Sequence, residues 1–441
     1  MKKLLFALFL TSLFAYPSFS QKVIFEEYDL DNGLHVILHQ DKSTPVILTS
    51  VMYHVGTKNE DLKRTGFAHF FEHLLFEGTK NIGRGEWMKI VSGNGGVNNA
   101  NTSVDRTYYY EIFPSNNLEL AIWMEAERML HPVINQIGVD TQKEVVKEEK
   151  RLKVDNQPYG QVIKVVKENL FEKHPYRWDI DGSMDHIDAA TLEEFRAFNK
   201  KYYGPNNAVL VVAGNFEKEQ AISWIKKYFG PIKKTPTVEK INIKEDPIIQ
   251  PKRATFEDPN IQIPAIVAAY RIPSMKTRDS RILELISALL SEGKSSRLYK
   301  KIVDEKKIAL TIGAFAMKQE DYGLYILYGL PLGENTTESI LKEIDEEILK
   351  LQTDLISERD FQKLQNRIEN DFVNNNGTLE NIAENLASYH LLYENTNLIN
   401  TEMNEYRSIT REDIRAAART YLNSNQRLLL DYVPVKDKKQ N

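Results

Sequence analysis

The chain of 441 residues carries 57 lysines and arginines against 62 aspartates and glutamates, a net charge of −5. That balance supplies no basic footprint for nucleic acid and no unusual acidity. There is no cysteine, which excludes disulfide staples, thiolate metal ligands and thiol nucleophiles, so stability must come from core size and any metal must be held by His, Asp and Glu.

At roughly 100–200 residues per domain the length suggests two to four domains, and two fit the pattern best. MKKLLFALFLTSLFAYPSFSQ opens with Lys2 and Lys3 ahead of an apolar run from Leu4 to Ala15, and Ser18 and Ser20 take the −3 and −1 positions of a cut before Gln21. Residues 1–20 read as a secretory signal peptide. The run falls short of the roughly 20 residues that span a bilayer, so a retained anchor is the minority reading. The expectation is a soluble exported protein, with the bacterial periplasm as its compartment.

EEYDLDNGLHVILHQ reads as two short strands about a turn at Asp31, Asn32 and Gly33, and PVILTSVMYHVGT as a buried strand. GFAHFFEHLLFEGT follows, with two histidines and a glutamate in a very apolar segment. Residues four apart share a helix face, so His69 and His73 can point at one ion, and Glu72 can reach a water on it. The order H-x-x-E-H is the inverted form of the zinc-peptidase H-E-x-x-H. Ordinary core hydrogen bonding among the three is the competing reading.

A zinc site that does chemistry has three protein ligands. The third is sought on a helix read at 140–155, whose start is marked by a capping box from Thr141 to Glu144. Glu149 shares a face with Val145 and Leu152, whereas Glu148 shares one with Glu144 and Arg151. A carboxylate on an apolar face needs a partner, so Glu149 is chosen and Glu148 is read as a solvated neighbour. AVLVVAGNF at 208–216 reads as a buried strand, and a helix is expected near Lys218 to Phe229.

The expected division is an N-terminal metal-bearing domain at 21–235, a linker at 236–253 and a C-terminal domain at 254–437. HLLFEGT at 73–79 aligns with ALLSEGK at 288–294, and 105–125 with 321–345, with a nearly constant offset between the paired blocks. This is the mark of an internal duplication. It also makes the second half a control for the first: His69, Glu72 and His73 correspond to Glu284, Ser287 and Ala288, so the shared fold does not require the polar trio.

HFFEHLLFEGT, followed further along by the second glutamate of VVKEEKR, Glu149, resembles the pitrilysin and insulinase family of zinc peptidases, which includes mitochondrial processing peptidase. GGVNNANTSVDRTYYY, His174-Pro175-Tyr176, Gly182 and YYGPNNAVLVVAGNF extend the resemblance. It implies an α+β fold of two homologous α/β-sandwich domains, each a largely antiparallel sheet packed with helices. It also implies one zinc per chain held by His69, His73 and Glu149, Glu72 as general base, and hydrolysis of extended peptides. Asn99 and Ala100 fall on the strand whose edge binds substrate in the resembling enzymes.

Two departures stand out. Asp304 and Thr311 stand where many relatives have an arginine and a tyrosine that bind substrate, and Gln142 stands where many have a glutamate. From the first comes the expectation of a heterodimer with a homologous zinc-less subunit that supplies the missing pair. A homodimer is the alternative, and a non-catalytic zinc- or peptide-binding scaffold of the same fold is the rival to an enzyme. The remaining histidines show no spacing that requires a second metal.

Overall fold

The structure, a computed structural model, describes residues 22–435; the signal peptide read at residues 1–20 lies outside the described residues. The first sheet is built from β1 (Glu26–Asp29), β2 (His35–Gln40), β3 (Val46–Tyr53), β4 (Val97–Thr102), β5 (Thr107–Pro114) and β6 (Ala208–Gly214), in the order β1-β2-β6-β3-β5-β4. The turn joining β1 and β2 has Gly33 at φ 83°, a conformation that a residue with a Cβ resists. Strands β3 and β6, largely apolar, are buried along almost their whole length, as central strands covered on both faces must be.

The second sheet comprises β7 (Lys252–Asp258), β8 (Ala265–Pro273), β9 (Ala309–Met317), β10 (Tyr322–Pro331) and β11 (Arg427–Pro434), in the order β7-β11-β8-β10-β9. Replacing β2, β3, β4, β5 and β6 by β7, β8, β9, β10 and β11 turns the first order into the second, with β1 as an added edge. In both sheets one pair is parallel, β2 with β6 and β7 with β11, and the remaining pairs are antiparallel. Gly78 and Gly293, matched by the duplication, both have positive φ, 130° and 76°. The fold is therefore two copies of one α/β sandwich. Residues 236–249 carry no helix or strand.

Six helices matter below: α1 (Phe67–Leu74), α2 (Leu118–Leu130), α3 (Gln136–Lys150) and α4 (Val162–Leu170) in the first half, α5 (Arg278–Ser291) and α6 (Leu379–Tyr393) in the second. One face of each sheet packs on helices of its own half. The other face is covered from across the molecule: Val165, Val166 and Leu170 of α4 join a core with β8, β10 and β11, while Ala383, Leu386 and Ala387 of α6 join one with β2, β3 and β6. Helices α4 and α6 start at Val162 and Leu379, within two residues of the offset that relates the aligned sequence blocks, so they too are duplicates. Each half thus completes the core of the other.

The seam between the halves is polar where the two hairpin turns meet. Lys58 Nζ lies 3.0 Å from Asp105 Oδ1 and contacts Glu320, and the Glu320 amide donates to Asp105 Oδ2 at 2.9 Å. A second polar contact joins β2 to α6. The His35 and His390 rings stack with centroids 3.4 Å apart and planes 12° from parallel, and His35 Nδ1 sits 2.8 Å from Asp29 Oδ1.

Burial, reinforced by repulsion from His35, pushes the His390 imidazole down to about 4, against attraction from Glu27, Asp29 and Glu394. A histidine with a depressed folded-state pKa stabilises the fold above its unfolded value of about 6.5 and loses that contribution as pH falls through the folded value. Urea unfolding is expected to show stability declining from about pH 6.5 towards about pH 4, and His390→Gln is expected to flatten that part of the profile.

Candidate metal centre

In FAHFFEHL the residues Phe67, Phe70, Phe71 and Leu74 recur at helical spacing and are buried, which turns His69, Glu72 and His73 to the opposite side of α1. Phe67 and Phe70 both stack on Phe195 with centroids 4.7 Å apart. At the N-terminal end, the buried Glu60 carboxylate accepts the amides of Gly66 and Ala68 at 2.8 Å each, satisfying donors that the helix leaves open. Burial pushes Glu60 up to about 8 although those amides pull it back.

Beyond the other end of α1, Arg128 of α2 lies between Glu111 and Glu125, with all three side chains at 0% exposure. Its guanidinium also donates to the Leu75 carbonyl at 3.4 Å and lies over the rings of Phe76, Trp87 and Tyr109. Both ends of the short helix are therefore tied down by buried polar side chains.

His69, His73 and Glu149 come together. The two Nε2 atoms are 3.3 Å apart, and Glu149 Oε2 is 2.8 Å from His73 Nε2 and 3.8 Å from His69 Nε2. Two donors on a tetrahedral zinc with bonds of about 2.0–2.1 Å are separated by about 3.3–3.4 Å. The triangle drawn by these three atoms has a centre about 2 Å from each, so a zinc ion fits with ordinary bond lengths on the chain's own donors.

Burial pushes His69 down, but the Asp181 carboxylate beside Nδ1 outweighs it and leaves the imidazole above its ordinary value. Burial and the neighbouring His69 push His73 down. Burial pushes Glu149 up, but Lys153 and the two imidazoles outweigh it and hold the carboxyl below its usual range.

Glu149, and not Glu148, meets the histidines, but not for the reason that the helix pattern suggests. Val145 and Leu152 are 42% and 52% exposed, while the buried side of α3 is carried by Val139 and Val146. Glu149, itself 20% exposed, faces the two histidines rather than an apolar core, and Glu148 pairs with Arg151. The helix also starts earlier than the Thr141 box: Asn135 caps it by accepting the Gly138 amide, and Thr141 donates to Ile137 one turn back. It gives way to a wider turn at Arg151–Asp155. An extended asparagine upstream, free to cap the first turn, took precedence over the box.

Glu72 accepts the Thr102 hydroxyl at 2.6 Å, which brings the end of β4 to the site. Strand β4 is an edge, paired with β5 alone. Ser103 N–H donates to Arg106 O at 2.8 Å, and the alternation of an antiparallel ladder anchored there turns the main-chain groups of Asn98, Ala100 and Thr102 outward. Of the two residues expected to meet substrate, only Ala100 offers its backbone. Asn99 contributes its side chain, whose Oδ1 accepts the Ala100 amide at 2.9 Å. Thr102, Glu60 and Asp181 were not singled out in the sequence; Thr102 alone had a signal, its place in NNANTSV.

The second copy has no equivalent site. Glu284 of α5, matched to His69, accepts from Lys318 Nζ at 2.7 Å and from the Tyr406 hydroxyl. Burial pushes Glu284 up, but Lys318 outweighs it and holds it low. The duplicated position thus balances its buried charge with an ammonium. Glu27, His35 and His390 also bring donors within 4.8 Å of one another. Their rings, however, lie parallel and stacked, so an ion in the plane of one imidazole lies well out of the plane of the other.

Two family models match successive stretches of the chain, the second of them beginning before β6 of the first sheet. Residues 35–180 match the model for insulinase, peptidase family M16, and residues 189–368 match the model described as the peptidase M16 inactive domain. The zinc protease PqqE of Helicobacter pylori is 31% identical over 370 residues, covering 82% of this chain and 83% of that protein. The chain belongs to peptidase family M16. An uncharacterized zinc protease of Bacillus subtilis, YmxG, is 22% identical over 92% of this chain and 97% of its own. The crystal structure of a protease from Helicobacter pylori superposes with a TM-score of 0.88 at 29% identity, over 93% of this chain and 100% of that one. The periplasmic protease PqqL of Escherichia coli shares the fold at TM-score 0.78 and 18% identity, with 95% of this chain matched to 48% of PqqL. Within M16 the match described as inactive excludes the histidine motif, which lies in the other match.

Removing the cation from the Arg128 triad leaves Glu125 buried with only Glu111, which burial already pushes up, beside it. Arg128→Ala is expected to cost about 3–5 kcal/mol in urea unfolding of the metal-free protein.

Proposed function

We propose that this chain is the zinc-bearing subunit of an exported metalloendopeptidase that hydrolyses extended peptides. The observation that carries the reading is the donor triangle of His69, His73 and Glu149 beside a carboxylate, Glu72, whose one oxygen is already held by Thr102. Zinc, when bound there, polarises the scissile carbonyl and makes an attacking water more acidic.

Glu72 takes the proton of that water on its remaining oxygen and passes it to the departing amine nitrogen. The Thr102 hydroxyl fixes the carboxylate for this transfer. The outward main-chain groups of Asn98, Ala100 and Thr102 receive the substrate as an added strand, with the Asn99 side chain yielding the Ala100 amide. Such pairing orients a peptide bond along β4 without reading most side chains.

Export is supported by the Lys-Lys start and apolar run of residues 1–20, and no helix among the described residues is long and apolar enough to cross a membrane. Pairing with a homologous zinc-less subunit is supported by Asp304 and Thr311, which cannot replace the arginine and tyrosine of the resembling enzymes. The 48% share of PqqL that this chain matches is consistent with a longer chain holding two such units. The same absence favours, as a second reading, a peptide-binding scaffold that retains zinc without cutting.

A quenched fluorescent peptide assay, with zinc content measured on the same samples, separates these readings. Glu72→Gln is expected to abolish turnover with zinc retained, and His73→Ala to remove both; a wild-type protein that holds zinc and cuts nothing even with its partner supports the scaffold. Purified alone, the chain is expected to bind one zinc and cleave poorly, with activity restored by the co-purified zinc-less subunit. Full activity of the isolated chain rejects the heterodimer.

A further inference from the structure

Asp181 makes a contact at the metal centre that the proposed chemistry does not use. Its Oδ1 lies 3.2 Å from His69 Nδ1, and the two side chains are 15% and 8% exposed. His69 Nδ1 is buried and has no well-aligned hydrogen-bond partner, so the Asp181 carboxylate is close but off the N–H direction.

The approach is built into the backbone. Gly182 has φ +59°, and a Cβ there would fall 2.2 Å from the Gly66 amide nitrogen and 2.4 Å from the Thr65 carbonyl carbon. Gly66 itself has φ +95°, and a Cβ on it would fall 2.7 Å from the Asp181 carbonyl oxygen. Two glycines in the left-handed region let this loop press directly on the start of α1. The loop is fastened there by Ser183, whose amide donates to Thr65 Oγ1 at 3.0 Å, and by His186, whose Nδ1 lies 2.9 Å from the same oxygen. Asp181 is thereby delivered to the far nitrogen of the imidazole whose Nε2 faces His73 and Glu149.

We propose that Asp181 is a positioning residue for the metal centre: it holds the His69 proton on Nδ1, fixing the tautomer and ring direction that aim Nε2 at the ion. A neutral imidazole has one proton, and a ligating nitrogen must be the one without it. A carboxylate on the other nitrogen selects that state in advance and strengthens the donor. The inference rests on the zinc reading above.

Its test compares wild type with Asp181→Asn, a variant of the same shape whose amide cannot accept as strongly. Each protein is stripped of metal and titrated with zinc against a chromophoric chelator, and the melting of each metal-free protein is recorded alongside. The wild type is expected to bind one zinc, and the variant to bind it about 10–100-fold more weakly with metal-free melting unchanged. Equal zinc affinity in the two proteins overturns the role of Asp181. So does a weakened affinity accompanied by a matching loss of metal-free stability, which assigns Asp181 to loop packing. A wild type that binds no zinc overturns instead the reading beneath it.

Discussion

Three electron-pair donors crowded around one point, two imidazole nitrogens and a carboxylate oxygen, form the constraint on which the molecule turns. When both nitrogens are unprotonated, lone pairs 3.3 Å apart repel, and a cation at their centre would convert that repulsion into attraction. The donors can stand so close only because their helix cannot drift. Glu60 holds the amides at its start, Arg128 the carbonyl beyond its end, and the phenylalanines of its other face fill the core. The groups that anchor α1 are themselves buried and polar, so their directional hydrogen bonds fix its position where apolar contacts alone would let it slide.

The duplication shows what this demands and what it allows. One topology appears twice, and in each copy a helix reaches across to seal the outer face of the other sheet. Neither half has a complete core without its twin, so the half with the metal donors cannot be treated as an independent unit of stability. The second copy is free of the chemistry: Glu284 and Lys318 neutralise each other at the matched position. The edge strands β4 and β9 are also duplicates, yet only β4 ends against a carboxylate beside the metal donors, through Thr102.

Membership of family M16 follows from relatives along most of the chain and from a shared fold, and the site follows from side-chain geometry. The two do not depend on each other. The C-terminal stretch that matches the inactive domain includes Asp304 and Thr311, and the N-terminal stretch includes both histidines. Under the reading proposed above, the histidines in one stretch and Asp304 and Thr311 in the other fit one half of a divided enzyme.

Much of this was legible without coordinates because periodicity and spacing are local. The apolar stripe of FAHFFEHL forces its two histidines onto one face, the constant offset of the repeat exposes the duplication, and the resemblance carries Glu149 to the site from a separate helix. Tertiary structure alone decided the rest. Val145 and Leu152 are exposed and lie outside the core, because what covers α3 is set by neighbours distant in the chain. His35 and His390, one in each half, meet only because α6 crosses to the other side. Asp181 reaches His69 only because Gly182 and Gly66 let two backbones touch, a contact between glycines that no periodic pattern records.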